Sequence, residues 1–202
     1  MGGIFLGFLC ATLLIFVLGR LQASHPPSGL LGLACWTLVA LTGLDGLNAF
    51  LFDGNLPHLY SPNGAVRLLT GLGAGLAVGL MAIPVVAGVV WARPTDDASI
   101  EDPIELLGGF ALAGLVGALI LAGVGVLLWP VALAMLAGVV VAFDVANLYV
   151  IVLATRRAGQ AMTLADLAGG LIGSFGLSLL EIGGLAALRG WLVATFGFTW
   201  GV

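Results

Sequence analysis

From Leu106 to Thr155 the chain carries a single charged residue, Asp144. A hydrocarbon core about 30 Å thick is crossed by roughly 20 apolar residues in a helix. This run is about twice that length, so it must turn and cross again. Strands are excluded, because open sheet edges would leave backbone groups unpaired in lipid. The sequence predicts the turn at Trp129-Pro130, an interfacial aromatic followed by a residue suited to the first turn of a helix.

The rest of the chain has the same character. Of 202 residues, 61% are hydrophobic and 8% charged, against about 25% charged in soluble domains. All six basic residues are arginines. Such a composition excludes a disordered tail, a nucleic-acid binder and a secreted disulfide scaffold. The net charge of −4 comes largely from one loop holding Asp96, Asp97, Glu101, Asp102 and Glu105. Cys10 and Cys35 sit in apolar runs and are read as buried thiols rather than a disulfide. The N-terminus lacks the basic start of a secretory signal, so its apolar run reads as a retained first span.

The expected fold is all-α, a six-span transmembrane helix bundle. The spans are Gly2–Gly19, Gly29–Phe52, Leu68–Trp91, Ile104–Leu128, Pro130–Thr155 and Leu164 to about Leu188. Residues 1–93 form a first three-helix half, 94–103 an acidic loop, 104–188 a second half, and 189–202 an interfacial tail with Trp191, Phe196, Phe198 and Trp200. Alternation puts Arg20, Arg93, Arg156 and Arg157 on one side, and Arg67 and Arg189 on the other. The excess marks the first side as cytoplasmic and the acidic loop with it. The predicted location is the cell membrane, with multiple passes.

Two segments resemble each other. Asp45-Gly-Leu-Asn48-Ala-Phe50 and Asp144-Val-Ala-Asn147-Leu-Tyr149 lie 99 positions apart, and at that offset Gly71, Gly75 and Gly79 meet Gly170, Ser174 and Ser178. The similarity predicts two three-helix repeats, inverted because three is odd; chance matching in a Gly/Leu-rich chain is the competing explanation. The four-residue glycine spacing gives span three one smooth face, on which another backbone can approach closely. Pro84 is expected to kink that helix and free a carbonyl.

Ionisable groups within a bilayer are costly and need partners. Asp45, Asp144 and Glu181 qualify, and Asn48 and Asn147 each lie one turn beyond an aspartate. These five are the candidate solute- or ion-binding residues; the same groups would also hold helices together. A structural ion pair between Asp45 and Arg67 is predicted, because Arg67 opens the antiparallel neighbour and a guanidinium can donate two bonds to one carboxylate. His25 and His58 fall on opposite sides, so no metal site is predicted, and no cofactor motif occurs. No nucleophile–base set is visible, which ranks a membrane-embedded enzyme last.

The run Leu44-Asp45-Gly46-Leu47-Asn48, followed by Asn63-Gly-Ala-Val-Arg67-Leu-Leu-Thr70-Gly71, resembles a family of small prokaryotic membrane proteins of unknown function. Its pattern is Leu-Asp-Gly, a short loop, then Asn-x-x-x-Arg-x-x-Thr-Gly opening a glycine-rich helix. Gly3-Ile4-Phe5-Leu6-Gly7 also resembles a stretch that follows a Cys-x-x-Cys in that family. The upstream cysteine motifs are not in this chain, through a late start or a lost site. The resemblance covers roughly Gly2 to Leu80 and implies a shared Asp–Arg element rather than an activity. Two functions remain open: a small-solute or ion transporter, and a structural or accessory subunit of a larger membrane complex. The bilayer is the certain partner; other membrane subunits or self-association through glycine faces are the further expectations, and nucleic acid is not.

Overall fold

The computed structural model describes residues 2–123 and 125–197. Six helices dominate: α1 (Gly2–Val17), α2 (Gly29–Asp53), α3 (Gly64–Val90), α4 (Pro103–Leu121), α5 (Leu128–Ala154) and α6 (Ala168–Phe196). Five of them, α2 to α6, are long and apolar enough to cross a membrane. With 16 residues, α1 is about 24 Å long at 1.5 Å per residue, short of a full crossing by that measure.

Helix α3 is the centre. Helix α1 lies along it, α2 and α4 flank it, and α5 touches both α1 and α3. The α1–α3 contact is made by backbone. A methyl group added at Gly7 would collide with the Leu72 carbonyl, and one at Gly75 with the Ile4 carbonyl. Gly3, Gly71 and Gly79 take part in the same seam. The glycine spacing predicted this smooth face, and the close approach gains dispersion contacts that lipid chains cannot match. Around it pack Leu6, Cys10, Ile15, Leu72, Leu76 and Leu80. Both cysteines are buried and free.

Three loops are stitched together at one end, here called the cap. Two short strands, β1 (Ala23–His25) and β2 (Thr95–Ala98), pair in parallel. The third loop joins through bonds from Ala92 N to Ala161 O and from Gly159 N to Val89 O. The Trp91 indole donates to the Leu21 carbonyl. Arg20 reaches Glu105 at 2.7 Å and Glu101 at 3.4 Å. Arg20, Arg93, Arg156 and Arg157 therefore belong to loops at one end, as helix alternation predicts. Asp102 and Glu105 form a reciprocal capping box at the start of α4.

Pro84 lies inside α3, and its missing N–H leaves the Leu80 carbonyl without its helical donor. The buried Ser99 hydroxyl donates to that carbonyl at 2.7 Å. The loop after β2 thus supplies the bond that proline removes.

Several boundaries differ from the sequence expectation. The α4–α5 turn is not at Trp129-Pro130. Gly123, at φ +64°, breaks α4, a 3-10 turn (Gly125–Leu127) follows, and both residues fall in the first turn of α5. Proline is tolerated there because no helical N–H is lost. Helix α6 continues past Leu188 to Phe196, so the first part of the expected tail is helical; Phe198 and Trp200 lie outside the described residues. The two halves also pack differently. Helix α1 covers α3, but α4 lies against α3 and α1, and α6 packs on α5.

Candidate functional site

At the end opposite the cap, α1, α2 and α3 enclose a cavity of about 480 Å³. Its polar lining is Thr42, Asp45, Asp53, Arg67 and Thr70; Ile4, Ala49 and Phe50 supply apolar wall, and Gly3, Gly46 and Gly71 leave the room. The helix register fixes the level of these groups. The Thr42 hydroxyl donates to the Thr70 carbonyl at 2.7 Å. Counting three residues along each antiparallel helix from that bond brings Asp45 level with Arg67. Asp53, two turns beyond Asp45, stands nearer the mouth.

Asp45 is 5% exposed. Its carboxylate Oδ1 accepts from the Tyr60 hydroxyl. The expected direct pair with Arg67 is not formed: no ion pair within 4.0 Å joins them among the described residues. Arg67 is exposed and faces the same cavity. The loop folding back over the end of α2 brings Tyr60 to Asp45 first. That bond raises the Tyr60 pKa above its ordinary value; desolvation and the nearby Asp45 charge add to the rise, and Arg67 opposes it.

Asn48 holds that loop. Its Oδ1 accepts from Leu59 N at 2.8 Å and Tyr60 N at 3.3 Å, and its Nδ2 donates to the Tyr60 carbonyl at 2.9 Å. The amide is spent on loop backbone, not aimed into the cavity. Asn63 caps α3 by accepting from Ala65 N. Tyr60 was not among the predicted site residues. The available signal was an interfacial tyrosine, with an apolar ring and a polar tip, in a loop long enough to return to α2.

The other candidates form a separate cluster between α5 and α6. The Ser178 hydroxyl lies 2.9 Å from Asp144 Oδ1 and 2.8 Å from the Ser174 carbonyl. Asn147 Nδ2 donates to Ser178 Oγ at 3.1 Å and to Glu181 Oε2 at 2.9 Å. Asn147 and Ser178 are buried, whereas Asp144 and Glu181 are half-buried. Asp144, Asn147 and Glu181 are thus brought together through Ser178. They are not bonded to Asp45 or Asn48, which belong to the α2–α3 hairpin. At the cap end of α6, the Asp166 carboxylate accepts from Met162 N, Thr163 N and the Thr163 hydroxyl. Those bonds lower its pKa, the Thr163 amide contributing most. Among the described residues no group of three or more His, Cys, Asp or Glu side chains is placed to hold a metal ion.

Residues 1–81 match the model of a family described as a predicted membrane protein (DUF2085). The matched stretch contains α1, α2 and most of α3, and with them every residue lining the Asp45 cavity. No curated protein matches the chain. No solved structure matches it either. The chain is a multi-pass membrane protein, with a first part similar to that family.

Proposed function

We propose that the protein binds a small polar solute or ion in the Asp45 cavity and serves as a small transporter in the cell membrane. In this reading α1 is a sixth, short span, and the cap faces the cytoplasm because it gathers four of the six arginines. The cavity then opens on the opposite side. The observation that carries the reading is a buried carboxylate and a guanidinium, level with each other, facing one cavity without pairing. Its size falls within the roughly 300–1,000 Å³ range of small-ligand sites. The Asp144–Ser178–Asn147–Glu181 cluster offers a second acidic locus, suited to a coupling proton or cation. The internal similarity of the two Asp-x-x-Asn segments supports a common origin for the two loci.

The test is a thermal-shift screen of purified protein against small polar solutes. Solutes that stabilise the wild type but not Asp45→Asn or Arg67→Gln support the reading. Solutes that stabilise all three proteins equally count against it. A second reading, an accessory subunit, draws on α6. Residues 183–191 are exposed throughout, and substituents at Gly176, Gly183 and Gly190 would meet nothing within 4 Å. Co-purification of a stable membrane partner lost on Gly183→Leu would favour it.

A further inference from the structure

We infer that the ligand of the Asp45 cavity is a small zwitterion, a primary ammonium joined by a short linker to a carboxylate or phosphate. The inference rests on the reading of this cavity as a binding site and adds the class of ligand. It follows from what each charged group offers. Asp45 is nine-tenths buried or more, and only its Oδ1 has a hydrogen-bond donor; Oδ2 has none among the described residues. Among the described residues no buried side-chain atom lacks a partner, so Oδ2 keeps access to open space, where an ionised donor makes a stronger bond than a neutral one. A primary ammonium supplies three N–H groups.

Arg67, exposed on the same cavity, offers the opposite charge. Its guanidinium has no hydrogen bond to another group and no ion pair among the described residues. It presents a planar fork suited to an oxyanion. A simple cation would satisfy Asp45 and be repelled by Arg67. A simple anion would satisfy Arg67 and be repelled by Asp45 and Asp53. A ligand carrying both signs answers both groups at once. Because Asp45 and Arg67 stand level on adjacent helices, whose axes lie about 8–10 Å apart, the two charges must be close together. Ile4, Ala49 and Phe50 line the cavity and accommodate the linker or an attached apolar chain. Asp53, nearer the mouth, raises the local concentration of the ammonium end.

The same chemistry occurs in a free amino-alkyl phosphate and in the headgroup of phosphatidylethanolamine. Calorimetry on protein in phosphatidylcholine nanodiscs tests the first with O-phosphoethanolamine. Native mass spectrometry of protein from mixed nanodiscs tests the second, by retention of phosphatidylethanolamine over phosphatidylcholine, whose quaternary nitrogen has no N–H. The expected result is binding in at least one arm, weakened tenfold or more by Asp45→Asn and by Arg67→Gln. Ethanolamine alone and inorganic phosphate alone should bind at least tenfold more weakly than O-phosphoethanolamine in the first arm. Asp45→Asn keeps the acceptor for Tyr60, so loss of binding is not loss of fold. If ethanolamine or phosphate alone binds as tightly and depends on Asp45 or Arg67, the zwitterion is overturned and the binding site stands. If no probe shows a response that depends on either residue, both are overturned.

Discussion

The Ser99 hydroxyl donates to the Leu80 carbonyl that Pro84 strips of its helical partner. Ser99 is fully buried, so Ser99→Ala would leave an acceptor without water or donor. The expected loss is about 1–3 kcal/mol, read as a lower melting temperature in detergent. Pro84→Ala restores the helical donor. The double variant should therefore lose less than Ser99→Ala alone, a coupling that independent sites would not show.

The α1–α3 seam makes a sharper prediction. At Gly75 an added Cβ meets the Ile4 backbone, which cannot rotate away as a side chain would. Gly75→Leu should cost at least the roughly 1–3 kcal/mol typical of overpacking and separate α1 from α3. Gly108→Ala serves as control, since nothing lies within 4 Å of its added methyl. A lower melting temperature in detergent for Gly75→Leu, with no such drop in the control, would report the loss of the seam.

Tyr60 supplies an alkaline signature. Its pKa in the folded protein is raised, chiefly by the bond to Asp45. The group's contribution is complete below the unfolded tyrosine value and is lost as pH rises through the folded value. Ultraviolet difference titration of wild type against Tyr60→Phe should show one tyrosine ionising later than a free one. Ionisation at the ordinary value would mean that the contact with Asp45 does not persist in solution.

Asp166 behaves in the opposite sense. Its folded pKa is lowered by bonds from Thr163 and Met162. Its stabilising effect is present above the unfolded aspartate value and is lost as pH falls through the folded one. Protection factors at Met162 and Thr163, taken against the intrinsic exchange rate at each pH, should fall at acid pH in the wild type. In Asp166→Ala they should already be low at neutral pH.

Much of the architecture was legible because lipid imposes simple rules. Apolar run length located the helices, and the four-residue glycine spacing located the face of α3 that meets α1. Pro84 announced a free carbonyl, although not that Ser99 would answer it. The α4–α5 turn was misplaced because two breakers lie close together; Gly123 acts as the breaker, while proline is compatible with a helix start. The Asp45 partner was missed for a different reason. Linear distance favoured Arg67 one helix away, but a loop pinned by Asn48 returns Tyr60 to the carboxylate. The link between Asp144 and Glu181 through Ser178 depended on the register of α5 against α6, which similarity to the first hairpin does not specify.

The stitched cap has a mechanical consequence. Strand pairing, the Trp91 indole, the Arg20 ion pairs and the bonds to Ala161 cross-brace three loops at one end. At the other end α2 and α3 are joined by a loop held through Asn48 and Tyr60. A tilt of these helices is therefore resisted at the cap by backbone pairing and ion pairs, and at the cavity end by the side-chain bonds of Asn48 and Tyr60.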